Sequence, residues 1–256
     1  LYGVLSPVMG ELAGVRERIS RFYQLRAANI RDYAHLEEHP ESFLNAALVF
    51  FSAGIQGKIN DNVRNFADLF QMVHIASTIH QGINEDAAQN QSRPADPRDG
   101  CQYPVLVGDY LYSKAFSILV ETGNIDHMLR LSEIVYQVNE GGIIRNKHNS
   151  SGGIRLEVWR EIIRLEKAEL MAGCCQMGAL SSGADKECQS VLFDFGHALG
   201  MALGMAEIGR ADQAEIYYNK ALLRLDLLAP GKNRDNLENM LLDFMGKNID
   251  REKMVC

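Results

Sequence analysis

No long apolar run in the chain is free of charge. The nearest approach to a membrane span, Val191–Ile208, is interrupted by Asp194, His197 and Glu207, and ionisable groups inside hydrocarbon are costly. A buried central helix is the better expectation, with no integral membrane span. No signal-peptide pattern is visible at the start. An excess of positive charge is missing as well: 26 Lys and Arg stand against 33 Asp and Glu, for a formal net charge of −7. That balance excludes a nucleic-acid partner and a basic helix lying on a membrane surface. Proline is scarce, with six scattered residues, so little interrupts helix formation. The five cysteines, Cys101, Cys174, Cys175, Cys188 and Cys256, are odd in number and lack disulfide-framework spacing. Reduced thiols in a cytoplasmic protein are expected.

What is present points to helices. Apolar residues make up 46% and charged residues 23% of the 256 positions, the balance of an ordinary globular protein with enough chain for a substantial core. Leu5, Val8, Met9, Leu12, Val15, Ile19, Phe22 and Leu25 recur at helical spacing. His39-Pro40-Glu41-Ser42 reads as a turn and helix start, and Ala46–Ala53, apolar but for Ser52, suits the interior. Asn60–His80 is the next helix. Extended to Gln81, it places Phe70, His74, Ser77 and Gln81 on one face and Met72, Ile75, Ala76 and Ile79 on the other. Order should be lost near Ser92-Arg93-Pro94, and a helix restarts near Tyr103 and continues to Val120.

Further helices are expected over Ile125–Val138, Arg155–Leu180, Ser190–Ile208, Asp212–Leu228 and Asn236–Met245. Lys147–Gly153 reads as a polar loop and Pro230-Gly231 as a break. Gly196, Gly200 and Gly204 fall four apart and offer a smooth face for another helix. Asp194 and His197 could share a metal only as half a site, so a structural role is expected of them. Cys174 and Cys175, among small apolar neighbours, read as packing. The tail segment from Gly209 to Leu225 also looks like half of a helical-repeat unit, but no second copy occurs at a matching period.

Several segments resemble the trans-polyprenyl (isoprenyl) diphosphate synthase family, whose pattern runs H-x-x-x-x-x-H-D-D-x-x-D, then R-R-G-x-P, then V-L-A-G-D-Y-L. His74, Ala76, Ser77, Ile79, His80, Pro94, Val105, Leu106, Gly108, Asp109, Tyr110 and Leu111 fit that frame. So do Phe195-Gly196, Leu199-Gly200 and Ala202 in the helix that carries the family's second aspartate motif. The resemblance extends from about Leu1 to Arg251. It implies a single all-α domain over 1–256, a shortened isoprenoid synthase-type antiparallel bundle around a central cavity.

The chemical positions depart from the family. The first aspartate motif is replaced by Gln81-Gly82-Ile83-Asn84-Glu85, with Asp86 about 100° further around a helix. Glu207 and Ile208 stand at or beside the paired aspartates of the second. Asn90-Gln91 replaces the arginine pair, and Pro40–Asn45 replaces a basic signature that binds isopentenyl diphosphate. Gly142 and Arg145 replace an acid and a glutamine. Glu166 takes the place of a phosphate-facing lysine, and the adjacent Lys167, about 100° away, is not expected to take over its direction. Magnesium needs hard oxygen ligands, usually carboxylates with waters and phosphate oxygens, and arginine grips phosphate with a charged fork that Asn and Gln lack. No catalytic residue, metal ligand or cofactor is therefore assigned to this chain, and magnesium would belong to a catalytic partner.

Ala76 and Ser77 are small where the family leaves an elongation tunnel open for long products; small residues equally permit close helix packing. The family's dimer interface is built largely from the helix bearing V-L-x-G-D-Y-L, so Val107, Leu111 and Ile118 are expected at a subunit interface. The resemblance implies a non-catalytic regulatory subunit of a heteromeric long-chain trans-polyprenyl diphosphate synthase, paired with a catalytic homologue or standing as a homodimer. The alternatives are a divergent prenyltransferase or terpene-type cyclase with a reduced metal site, and a protein that binds an isoprenoid ligand.

Overall fold

The computed structural model describes residues 2–24, 40–82, 102–149 and 153–255. Its centre is a helix with no polar side. From Asn45 to Ala53 every residue is buried, and a helix apolar all round has to be enclosed by others. We number the helices α1 (Met9–Gln24), α2 (Leu44–Ala53), α3 (Asp61–Gln81), α4 (Gln102–Glu121), α5 (Met128–Asn149), α6 (Leu156–Ile163), α7 (Glu169–Ser181), α8 (Lys186–Glu207), α9 (Ala211–Leu225) and α10 (Lys232–Val255). The described residues contain no strand. The result is an all-α antiparallel bundle in which buried apolar residues from Leu5 to Leu241 form one contiguous core.

Close packing of the central helices is built from small residues. A Cβ on Gly178 of α7 would lie 2.3 Å from the Val49 carbonyl oxygen of α2. Along α8, Cβ atoms on Gly196, Gly200 and Gly204 would meet Met171, Ala168 and Ile163 at 2.5, 2.6 and 2.3 Å. The expected smooth face is thus the face that receives the α6–α7 segment. Caps fix the helix starts. Asn60 Oδ1 accepts from the Val63 N–H at 2.9 Å, and its Nδ2 donates to the Ser181 carbonyl at 2.9 Å, tying the start of α3 to the end of α7. Asp185 accepts from the Cys188 N–H at 2.8 Å and caps α8. At the periphery, Arg18 of α1 grips the buried Asp68 of α3 with two hydrogen bonds of 2.5 and 2.9 Å.

Three elements differ from the sequence expectation. Helix α5 does not stop near Val138; it runs through Gly141-Gly142 to Asn149. Glycine is poor in a helix, but a Cβ on Gly141 would lie 2.6 Å from Glu166 Cγ, so absence of a side chain is what lets α5 pack there. Helix α10 extends beyond Asn236–Met245 at both ends. Between α6 and α7 the chain is helical throughout, but Arg164–Ala168 is a π turn, closed by the Glu169 N–H on the Arg164 carbonyl. Residues 92–94, near which order is expected to fail, lie outside the described residues. Among those described, no helix is long and apolar enough to cross a membrane.

Candidate functional site

The bundle encloses a cavity of about 250 Å³. The last two turns of α3 contribute His74, Ser77, Thr78 and Gln81, and the start of α2 contributes Asn45. Arg145 comes from α5, Glu166 and Lys167 from the π turn, Leu170 and Met171 from α7, and Glu207 from the last position of α8. A smaller cavity of about 140 Å³ shares Ser77, Gln81 and Arg145 and adds His80, Asn139 and Gly142.

Charges at the larger cavity are matched from within. The Arg145 guanidinium pairs with the Glu166 carboxylate, and Lys167 Nζ lies 2.5 Å from Glu207 Oε1. Only 2% of the Glu166 side chain is exposed. Burial pushes its carboxyl above the usual range while Arg145 pulls it back. Glu166 Oε1 and Arg145 Nε remain buried without hydrogen-bond partners. The Arg145 guanidinium also lies 5.7 Å from the centre of the Trp159 ring. Burial, assisted by nearby Lys167, lowers His74 to about 4, so its imidazole is neutral at physiological pH.

A neutral hydrogen-bond chain flanks this set. Ser77 Oγ donates to the Val73 carbonyl at 2.6 Å and lies 3.2 Å from the Tyr112 hydroxyl, to which Asn139 Nδ2 donates at 3.4 Å. His80 Nε2 sits 3.3 Å from the Val105 carbonyl oxygen and 3.6 Å from Asp109. Gly108 makes room for that ring, since a Cβ there would fall 2.1 Å from Nε2.

The fold brings Gln81 and Glu207 to one cavity although they are far apart in sequence. Gly82 is the exposed cap of α3, and Glu85 and Asp86 lie outside the described residues. Ile208 caps α8 and packs against the core. Ser77 lines the cavity, whereas Ala76 is fully packed in the core. Asp194 pairs with Arg224 at 3.4 Å and His197 stacks on Phe193, so the two serve separate contacts. Cys174 and Cys175 are buried free thiols, and burial pushes Cys175 up to about 12.

Two expectations are corrected. Val107 and Leu111 are buried inside their own chain, at 4% and 0% exposure, and Ile118 is half-buried against the same core. Val107 and Leu111 hold α4 to the bundle, and Ile118 keeps part of its surface exposed. Among its described side chains, the large apolar ones that α4 exposes are Val105, Leu106 and Val120. Lys167 also reaches the cavity beside Glu166, contrary to the straight-helix argument, because the π turn carries an extra residue and re-aims both side chains. The Arg145–Glu166 pair was present in the sequence as two departures of opposite sign from one pattern, and that complementarity was the overlooked signal.

Each described carboxylate at the cavity is already held by a cation, and Gln81 carries no charge. Among the described residues no three His, Cys, Asp or Glu side chains come together as metal ligands. A magnesium–diphosphate cluster uses carboxylates together with waters and phosphate oxygens, and each described carboxylate here already has a cationic partner.

Residues 43–205, well over half of the chain, match the polyprenyl synthetase family. Heptaprenyl diphosphate synthase component 2 of Geobacillus stearothermophilus is 26% identical over 211 residues, 81% of this chain and 64% of that protein. The chain spans between 44% and 64% of the length of the curated relatives it matches first. Among solved structures, a decaprenyl diphosphate synthase from Rhodobacter capsulatus superposes with a TM-score of 0.78 at 19% identity, covering 97% of this chain and 98% of that one. A mint heterotetrameric geranyl pyrophosphate synthase gives 0.68 at 17% identity, covering 91% and 97%. Sequence match and shared all-α architecture agree: the chain belongs to the polyprenyl synthetase family.

Proposed function

We propose that this chain is a non-catalytic, regulatory subunit of a heteromeric long-chain trans-polyprenyl diphosphate synthase, supporting a catalytic homologue that supplies the magnesium site. The observation that carries this reading is the internal pairing of Arg145 with Glu166 and Lys167 with Glu207. Ionising an allylic diphosphate requires charges aimed at the leaving group as it develops negative charge. Here the cavity's described charges pair with one another. The names of two similar proteins, one a synthase component and one a heterotetramer, support an assembly of unlike chains.

The docking face follows from exposure. Leu129, Tyr136 and Ile143 of α5 are 71%, 65% and 69% exposed and lie seven residues apart, hence on one side of the helix. Leu106 and Val120 of α4 are 66% and 56% exposed, with exposed Ser113 midway between them. Ile125, in the turn joining the two helices, is 57% exposed. Large apolar side chains concentrated on consecutive elements mark an association surface.

The test is co-expression with a catalytic homologue that keeps both aspartate motifs, with products assayed for each chain alone and for the mixture. The chain alone should not turn over geranyl or farnesyl diphosphate with magnesium, and the mixture should make the long-chain product. Turnover by the pure chain that Glu207→Ala abolishes would overturn the reading in favour of a divergent enzyme.

A further inference from the structure

We propose that the cavity binds an uncharged amphiphile, a short apolar alcohol, in preference to a diphosphate. This goes beyond the subunit reading and holds whether or not the chain docks on a partner. Among the described residues, four charged side chains line the cavity: Arg145, Lys167, Glu166 and Glu207. Their formal charges cancel, and His74 adds none.

A diphosphate would have to take Arg145 or Lys167 from its carboxylate. Taking Arg145 strands the buried Glu166 as an uncompensated anion beside an incoming polyanion. An alcohol requires neither exchange. Its hydroxyl is donor and acceptor in one, so it can bond the neutral polar side chains of the wall without displacing either ion pair. The neutral groups of Asn45, Thr78 and Gln81 offer further hydrogen bonds, while Leu170 and Met171 provide an apolar floor. A cavity of about 250 Å³ suits roughly ten heavy atoms, on the scale by which about 150 Å³ takes benzene. The ligand class is therefore a small alcohol with a hydrocarbon body.

The chain carries its own reporter. Trp159 is its single tryptophan, and its ring lies against the Arg145 guanidinium, so a ligand that engages Arg145 changes its emission. The experiment titrates the pure full chain with geraniol and, separately, with geranyl diphosphate, each with and without magnesium. Geraniol should give a saturable change in Trp159 fluorescence. Geranyl diphosphate should bind at least about tenfold more weakly under both conditions, as expected when buried charge pairs must be broken. Glu166→Lys, which raises the cavity's formal charge by two, should reverse the preference. Glu166→Gln changes shape little and should narrow the gap even if the lysine variant fails to fold. Diphosphate binding as tight as geraniol, or no saturable response to geraniol, would overturn the proposal. Neither result depends on product assays with a partner, so failure here and failure of the subunit reading are separable.

Discussion

His74 lies on α3 at the cavity wall, within the electrostatic reach of Lys167 and Glu207. Burial is the main reason its folded value falls from 6.5 to about 4. The folded protein thus resists a proton that the unfolded chain accepts readily. The stability this confers is complete above pH 6.5 and is lost as pH falls from there through about 4. The loss is on the order of 2 kcal/mol after discounting for the cavity's contact with solvent. His74→Gln keeps the polar character without the titration. Melting temperatures measured from pH 7 to pH 4 should fall less steeply for the variant than for the wild type, and parallel curves would remove His74 from the acid response.

Helix α8 packs with its backbone close to that of the α6–α7 segment. Gly200→Ala places a methyl 2.6 Å from the Ala168 Cα, a backbone atom that cannot rotate away. We expect a loss of about 1–3 kcal/mol from overpacking, larger than the gain in helix propensity, read as a lower denaturant midpoint. The same substitution at Gly246 of α10, where a Cβ meets nothing within 4 Å, should leave the midpoint unchanged or raised. Much of this element-level picture was legible in the sequence. The 3.6-residue rhythm marked the helices in order, and glycines four apart marked the close face. What was not legible depends on tertiary contact. The passage of α5 through Gly141-Gly142 is decided by Glu166 lying against it, and the π turn adds a residue that no periodicity announces. The site was legible by resemblance alone, which put Gln81 and Glu207 at the places of the two aspartate motifs. Neighbouring charges at 166 and 167 were read on a straight helix, so their pairings with Arg145 and Glu207 went unseen. Apolar excess on α4 was visible too, but not which residues the chain itself would cover.

At the scale of the whole molecule, Leu111 and Leu129 separate folding from association. Leu111 is fully enclosed, so Leu111→Glu buries an unpaired carboxylate and should unfold the chain or cost several kcal/mol. Leu129 is 71% exposed, and Leu129→Glu should leave helicity and melting temperature nearly unchanged while abolishing co-purification with the catalytic homologue. Circular dichroism and size-exclusion chromatography distinguish the two, and a Leu129→Glu chain that still co-elutes would place the interface elsewhere. The π turn at Arg164–Ala168 bears on how this molecule breathes. It lies within one continuous helical run, yet there the ordinary four-residue ladder gives way to a wider five-residue ring. Cooperative opening propagates through unbroken ladders, so the segments on either side become separate units of native-state hydrogen exchange. Amides of Met171–Gly178 should then exchange only with global unfolding, while those of Val158–Ile163 exchange through a smaller opening that uncovers Arg145 and the cavity without loosening the centre.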